Sequence, residues 1–203
     1  MEILIVLTLS YLSGSVPFGL ILTKTFQGKD VRKIGSGNIG ATNVLRTGNK
    51  VLAILTLAFD ILKGYLPVII TIKYFPELIN LSCLVVFLGH IFPVWLKFKG
   101  GKGVATYLGI LFALSIQLSL LFIFTWIVVA LVFKYSSLSS IFASFTVFVI
   151  TLIKNTALKY ISISNNTFEN SIMILFIFFI LILFTHRKNI YNLKNKTEQK
   201  IKI

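Results

Sequence analysis

Two glycine-rich stretches carry the residues best suited to chemistry. Residues 34 to 48 read IGSGNIGATNVLRTG, and residues 97 to 106 read KFKGGKGVAT. In the first, Gly35-x-Gly37-x-x-Gly40 has the spacing of a dinucleotide fingerprint, but that motif needs a strand before it inside a βαβ unit. Here the flanking segments are long apolar runs, which excludes that reading. What survives is local physics: glycines let a backbone approach an anion and turn N–H groups toward it. A helix starting near Ala41 aims its positive end the same way. Asn38, Thr42 and Asn43 add side-chain donors, and Arg46, about one turn beyond Thr42, reaches a phosphate bidentately. The bland alternative is a flexible connector, which favours Gly and Ser repeats over a mixed GSGNIGATN.

The second stretch resembles the end of a P-loop, yet Leu96 stands where the first P-loop glycine belongs and no Ser or Thr follows Lys102. Gly101, Gly103 and Lys102 still form a plausible cradle for a phosphate or oxyanion. Taken alone, Lys97, Lys99 and Lys102 are a positive-inside anchor; a second anion loop on the same face shifts the balance toward two phosphates. Late in the chain, His186 and Asn189 lie three residues apart on one helix face, at a helix end expected to be exposed. Asp60 and Lys63 have the spacing of a pair within one apolar span, and ionisable residues there are functional candidates or braces. His90, near Pro93, is expected to be structural, bonding across helices. No Gly-x-Ser-x-Gly elbow is present, and Cys83, the single cysteine, reads as filler. No cluster of His or carboxylate offers a metal site.

The elements that position these residues follow from composition. The chain has 203 residues, 56% hydrophobic and 13% charged, with mean hydropathy +0.91; such a chain belongs in a bilayer. One membrane domain, residues 1–203, all helical, is the economical reading. The N-terminal run lacks a basic flank and a small-residue cleavage site, so it is expected as a retained helix. Apolar segments fall near 3–24, 51–73, 80–97, 104–134, 138–154 and 170–185. The fourth, about 45 Å as one helix against a hydrocarbon core about 30 Å thick, fits either a steeply tilted helix or a hairpin of two short helices broken around Ser115 to Ser119, and the positive-inside rule favours the hairpin. That gives about seven transmembrane helices with the N-terminus outside and the C-terminus cytoplasmic. This layout gathers the basic residues of 24–50, 97–102, 134 and 187–202 on one side and leaves Lys73, Lys154 and Lys159 on the other. The net charge of +14 therefore reports orientation rather than nucleic acid binding. Both glycine-rich stretches, the serines at 136 to 140 and the end of the last helix then share the cytoplasmic face, where Asp30 and Glu198 are the acidic residues.

At this level of detail the sequence resembles a known family. Residues 13–19 (SGSVPFG), 35–46 (GSGNIGATNVLR) and 89–106 (GHIFPVWLKFKGGKGVAT) are similar, in order, to the three signature motifs of the bacterial acyl-phosphate:glycerol-3-phosphate acyltransferases of the PlsY type. The serine segment 135–141 and residues 186–193 resemble its later elements, with Asn192 where the family usually has a basic residue and an enlarged outer loop at Ile161 to Asn170. The resemblance implies a multi-pass enzyme of the bacterial cytoplasmic membrane, with its active site facing the cytoplasm. It would transfer an acyl chain from acyl phosphate, not acyl-CoA, to the sn-1 hydroxyl of glycerol 3-phosphate, giving lysophosphatidic acid and inorganic phosphate. No cofactor or metal is implied. Besides the substrates and membrane lipids, an enzyme that makes acyl phosphate is the partner expected to dock.

By motif position the catalytic residues are Ser36, Arg46, Lys102, His186 and Asn189. Substrate-binding residues are Asn38, Gly40, Thr42, Asn43, Gly101, Gly103, Ser139 and Ser140. Ser36, Arg46 and Lys102 would bind phosphate groups, while Ser139, Ser140, His186 and Asn189 complete a glycerol phosphate pocket. An acyl phosphate is already activated, which accounts for the missing nucleophile. His186 is expected to orient the substrate, with a substrate phosphate oxygen taking the proton. Two rivals explain less. A transporter or lipid-binding protein accounts for the charge but shows repeated halves with broken helices. A metal-dependent phosphoalcohol transferase needs an aspartate cluster that is absent.

Overall fold

The computed structural model describes the backbone at residues 1–160 and 167–201, and side chains at 1–156 and 172–201. Among the described residues the secondary structure is helical throughout: α1 (Glu2–Ser15), α2 (Phe18–Gln27), α3 (Ala41–Leu45), α4 (Lys50–Tyr74), α5 (Ile79–Ile91), α6 (Val104–Leu114), α7 (Ile116–Phe133), α8 (Ser136–Tyr160), α9 (Thr167–Thr185) and α10 (Arg187–Lys194), with short 3-10 turns between some of them. Among the described residues, five spans are long and apolar enough to cross a membrane, namely α1 with α2, α4, α5 with its flanking turns, α7 and α8, and α9 with α10 makes a sixth if that bent pair is one span. α6, with 11 residues, is about 16 Å long and is shorter than the hydrocarbon core. Of the stretch expected as an enlarged outer loop, residues 161–166 lie outside the described residues, and Thr167 already belongs to α9.

Two compact units make up the chain, Met1–Leu114 and Ser115–Ile203. In the first, the apolar segment expected as one helix at 3–24 is two, because Pro17 has no N–H and forces Val16 out of the helical region (ψ 118°). This leaves the Val16 carbonyl without a helical partner, and Lys63 Nζ donates to it at 2.7 Å. The same ammonium forms the expected ion pair with Asp60 at 2.7 Å, both side chains being 3% exposed. Pro67 inside α4 likewise deprives the Lys63 carbonyl of its helical donor, and Ser13 Oγ supplies one at 3.0 Å. In a bilayer, where water cannot satisfy a stranded carbonyl, these side-chain bonds permit the helices to break and bend.

Packing in this unit depends on close backbone approach. Gly14 of α1 abuts the Val86 backbone of α5, while Gly64 of α4 abuts the Thr106 carbonyl and Gly109 of α6 abuts Ile61 of α4. Small residues at helix crossings favour this kind of association in membranes. Ser10 and Ser82, both buried, share a hydrogen bond of 2.9 Å across α1 and α5. α5 ends at Ile91, so Pro93 lies beyond the helix rather than within it.

In the second unit the break expected at 115–119 falls at Ser115, whose side chain caps α7 by accepting from Leu118 N–H. α8 and α9 pack through the rings of Phe145, Phe148, Phe176 and Phe179. α10 turns away from the end of α9 by 59°.

Removing one member of a buried ion pair strands the other, at a cost of about 3–5 kcal/mol, whereas replacing both with apolar groups costs far less. Lys63→Met is therefore expected to lower the Tm of the detergent-solubilised protein sharply. The double variant Asp60→Leu/Lys63→Met should recover part of that loss, as followed by thermal unfolding.

Candidate active site

Asn43 organises the first glycine-rich loop from beneath. It is buried, its Nδ2 lies 2.9 Å from the carbonyls of Val31 and Ile34 and 2.7 Å from that of Asn38, and its Oδ1 accepts from Ser36 N–H at 3.0 Å. The carboxamide counted from sequence as a substrate donor is thus spent on its own loop. Asn38 does related work, its Oδ1 accepting from Gly40 N–H at 2.9 Å. Gly35 and Gly37 adopt φ of 55° and 72°, the left-handed region that favours glycine. A Cβ on Gly35 would meet Asn43 Oδ1 and Arg46 Cδ, so the Arg46 side chain lies along this turn, beside Ser36. Ser36, Thr42 and Arg46 are exposed and Gly40 is half-buried.

Electrostatics separate the two arginines of this region. Arg32 is held by Asp30 through two contacts, Nε at 2.9 Å and Nη2 at 2.6 Å. Hydrogen bonding by the guanidinium holds the Asp30 carboxyl well below the usual carboxylate range and raises Arg32 itself. Arg46 instead meets the neutral Asn43 Oδ1 at 3.5 Å. Arg32 is therefore committed to a carboxylate, whereas Arg46 lies against a neutral amide oxygen.

The second loop is wrapped around the end of α5. Gly100 N–H donates to Ile91 O at 2.9 Å and Gly101 N–H to His90 O at 3.1 Å. These two peptide donors face α5 and not an anion. What the loop offers a phosphate is the half-buried Lys102 side chain and the start of α6, whose first N–H groups have no partner within the helix. Gly103, buried with φ 82°, forms the turn into α6. His90 does not form the cross-helix bond expected of it: its Nδ1 is buried with no hydrogen-bond partner, and its ring lies against Gly101.

Leu96 brings these two loops onto one foundation. It packs on an apolar cluster of Leu20, Leu22, Val31, Ile39, Val44, Leu52 and Ala53, which lies beneath the first loop. Gly19 of α2 approaches the Ile39 carbonyl closely enough that a Cβ there would collide with it.

The second unit holds the remaining residues. Ser139 and Ser140 are buried and donate to the carbonyls of Tyr135 and Ser136, each at 2.8 Å, while Ser140 Oγ accepts from Trp126 Nε1 at 3.1 Å. His186 is 1% exposed, which overturns the expectation of an exposed helix end: the bend between α9 and α10 folds the ring inward. Its Nδ1 donates to Ile182 O at 2.8 Å. Asn189 donates to Glu198 Oε1 at 2.6 Å, Ser137 donates to the same oxygen at 2.8 Å, and Asn192 donates to Oε2 at 3.3 Å. Glu198 is the residue that the sequence reading missed as part of this group. The available signal was a lone carboxylate in a lysine-rich tail. Among the described residues no three His, Cys, Asp or Glu side chains gather to hold a metal ion.

Asn43→Asp would set a carboxylate against three carbonyls, at a cost of about 3 kcal/mol or more. Hydrogen exchange should show residues 31–46 losing protection while the amides of α7 and α8 keep theirs.

A model of the family described as glycerol-3-phosphate acyltransferase matches residues 4–196. A glycerol-3-phosphate acyltransferase of Pelagibacter ubique is 54% identical over 204 residues, covering 100% of both chains. One from Mesorhizobium japonicum is 48% identical, covering 98% of this chain and 96% of that one. Among solved structures, the fold is similar to that of PlsY (YgiH), an integral membrane glycerol 3-phosphate acyltransferase, in its glycerol 3-phosphate form, with TM-score 0.89, 34% identity and coverage of 100% of this chain and 96% of the other. The lysophosphatidic acid form of PlsY aligns with TM-score 0.86 and 33% identity over 98% and 95% of the two chains.

Proposed function

The chain belongs to the glycerol-3-phosphate acyltransferase family of the PlsY type, and from that premise we propose that it transfers a fatty acyl group from acyl phosphate to the sn-1 hydroxyl of glycerol 3-phosphate. The products are lysophosphatidic acid and inorganic phosphate. The observation that carries the reading is the shared foundation of the two glycine-rich loops, with Leu96 on the pad that supports Ile39 and Val44. Arg46 and Lys102 extend from loops in which the N–H groups of Ser36, Gly40, Gly100 and Gly101 bond internally. Cationic side chains, together with the start of α6, then supply the recognition of phosphate, and no protein nucleophile is required.

The hydroxyl oxygen attacks the acyl carbonyl carbon, the bond from that carbon to the phosphate oxygen breaks, and phosphate leaves with the electron pair. The hydroxyl proton passes to a substrate phosphate oxygen. Ser36, Arg46 and Lys102 bind phosphate groups and offset charge as it builds on the leaving group. Asn38, Asn43, Gly40, Gly101 and Gly103 shape the loops, and Thr42 adds a hydroxyl. By motif position Ser139, Ser140, His186 and Asn189 are assigned to glycerol 3-phosphate. His186 is an orienting group. A histidine acting as base favours a carboxylate on its far nitrogen to stabilise the imidazolium, whereas Nδ1 of His186 donates to the neutral Ile182 carbonyl.

The charge distribution supports seven spans, with the C-terminus and the loops in the cytoplasm and the enzyme in the bacterial cytoplasmic membrane. Enzymes that make acyl phosphate would then meet it on that face.

The test is release of inorganic phosphate by the purified, detergent-solubilised protein given palmitoyl phosphate and glycerol 3-phosphate. Release should require glycerol 3-phosphate, should not occur with palmitoyl-CoA, and should fall about 10²–10³-fold in Lys102→Ala, the scale for removing a group that stabilises developing charge. An absence of turnover by a well-folded preparation would overturn the proposal. His186→Gln is expected to lose only a few-fold in kcat; a loss of about 10³ or more, within the range for a removed base, would make His186 the proton acceptor instead.

A further inference from the structure

Each glycine of the GGKG loop abuts a different part of the end of α5. A Cβ on Gly103 would strike the Phe87 ring, one on Gly101 the His90 imidazole, and one on Gly100 the carbonyls of His90 and Ile91 together with Pro93 Cδ. Phe87, His90 and Ile91 have the i, i+3, i+4 spacing of one helix face. The loop is therefore moulded on that face. Gly101 differs from Gly103 in one respect: Gly103 has φ 82°, where any side chain is strained, while Gly101 lies outside that region. Its backbone would accept alanine. What excludes alanine at 101 is the ring of His90, whose Nε2, Cε1 and Cδ2 are the three atoms nearest to where a Cβ would fall.

We infer that His90 is a positioning residue whose buried imidazole seats Gly101 and thereby fixes Lys102, and that glycine is required at 101 by this ring and not by the approach of a substrate phosphate. Two hydrogen bonds complete the seat, His90 O accepting from Gly101 N–H at 3.1 Å and Ile91 O from Gly100 N–H at 2.9 Å. With those N–H groups turned to α5, the loop locates its lysine as a rigid bracket. His90 is 3% exposed, and its ring touches the loop rather than solvent. The catalytic consequence rests on the proposed function; the seating itself does not.

The experiment is a cycle of His90→Ala, Gly101→Ala and the double variant, read both by Tm in detergent and by steady-state kinetics. Gly101→Ala should lose Tm and about 10²-fold in kcat/KM, the scale for displacing a binding group by about 1 Å. In His90→Ala/Gly101→Ala the new methyl group occupies space the ring vacated. The double should regain at least half the Tm lost by Gly101→Ala and about tenfold in kcat/KM, a coupling of opposite sign to simple addition. His90→Ala should also raise KM for the same substrate whose KM is raised by Lys102→Ala, a selectivity that a purely structural role would not produce. A double variant no better than Gly101→Ala by Tm overturns the seat. Recovery of Tm without recovery of kcat/KM overturns the claim that the ring alone imposes glycine. If the wild type itself is inactive with both substrates, the proposed function fails while the Tm cycle still decides the seating.

Discussion

The ammonium of Lys63 is the contact on which the arrangement of the first unit depends. The break before Pro17 takes the Val16 carbonyl out of the helical ladder and leaves it a bent backbone bond from Phe18 N–H at 3.2 Å, in a bilayer where water cannot supply a second donor. Lys63 supplies that donor, and Asp60 in turn neutralises Lys63. With the break stabilised, α2 can leave the line of α1 and present Gly19 to Ile39 and Leu20 and Leu22 to the apolar pad. The pad then supports both glycine-rich loops. A polar pair deep in one helix is in this way connected to the loops through a chain of ordinary packing contacts.

The loops show how a glycine-rich backbone can be ordered by spending several of its own donors internally. A peptide N–H is a strong donor that a folded chain tends to use internally, and the N–H groups of Ser36, Gly40, Gly100 and Gly101 all bond to nearby oxygens. Order in the loops is the result. Under the proposed function, phosphate recognition would rest on the guanidinium of Arg46, the ammonium of Lys102 and the start of α6, while Asp30 occupies Arg32 by pairing with it. If the donor is the activated acyl phosphate proposed above, such a site suits the reaction, because stabilising charge and orienting substrates are the main tasks left to the protein.

The second unit solves a different problem with neutral donors. Glu198 accepts from Ser137, Asn189 and Asn192, so a single carboxylate ties α8, α10 and the C-terminal tail together. The tail is held again where Ile201 N–H donates to Lys134 O at 2.7 Å. His186 is set by the same economy, its ring fixed by a carbonyl one turn back in its own helix.

Much of this was legible in the sequence. Apolar runs marked the helices because hydrocarbon admits little else, the serines at 115–119 marked the break before α7, and the spacing of Asp60 and Lys63 placed them on one face; the break at Pro17 fell inside a run read as one helix at 3–24. The glycine, asparagine and basic residues in fixed order identified the two loops. Burial, and the direction of each hydrogen bond, were not legible. A sequence lists Asn43 and Gly101 as potential donors, but only the folded chain shows that three carbonyls claim the one and α5 the other. It lists His186 near a helix end, but the bend into α10 decides that the ring is buried. Glu198 looks like one charge among lysines until Ser137, far away in the chain, is brought to it. Sequence determined which groups exist and which segments are apolar enough to favour a bilayer, since those follow from local chemistry and periodicity. The tertiary structure decided which groups are already satisfied and which remain for a ligand, because a hydrogen-bonding partner is a matter of distance in space that chain order does not encode.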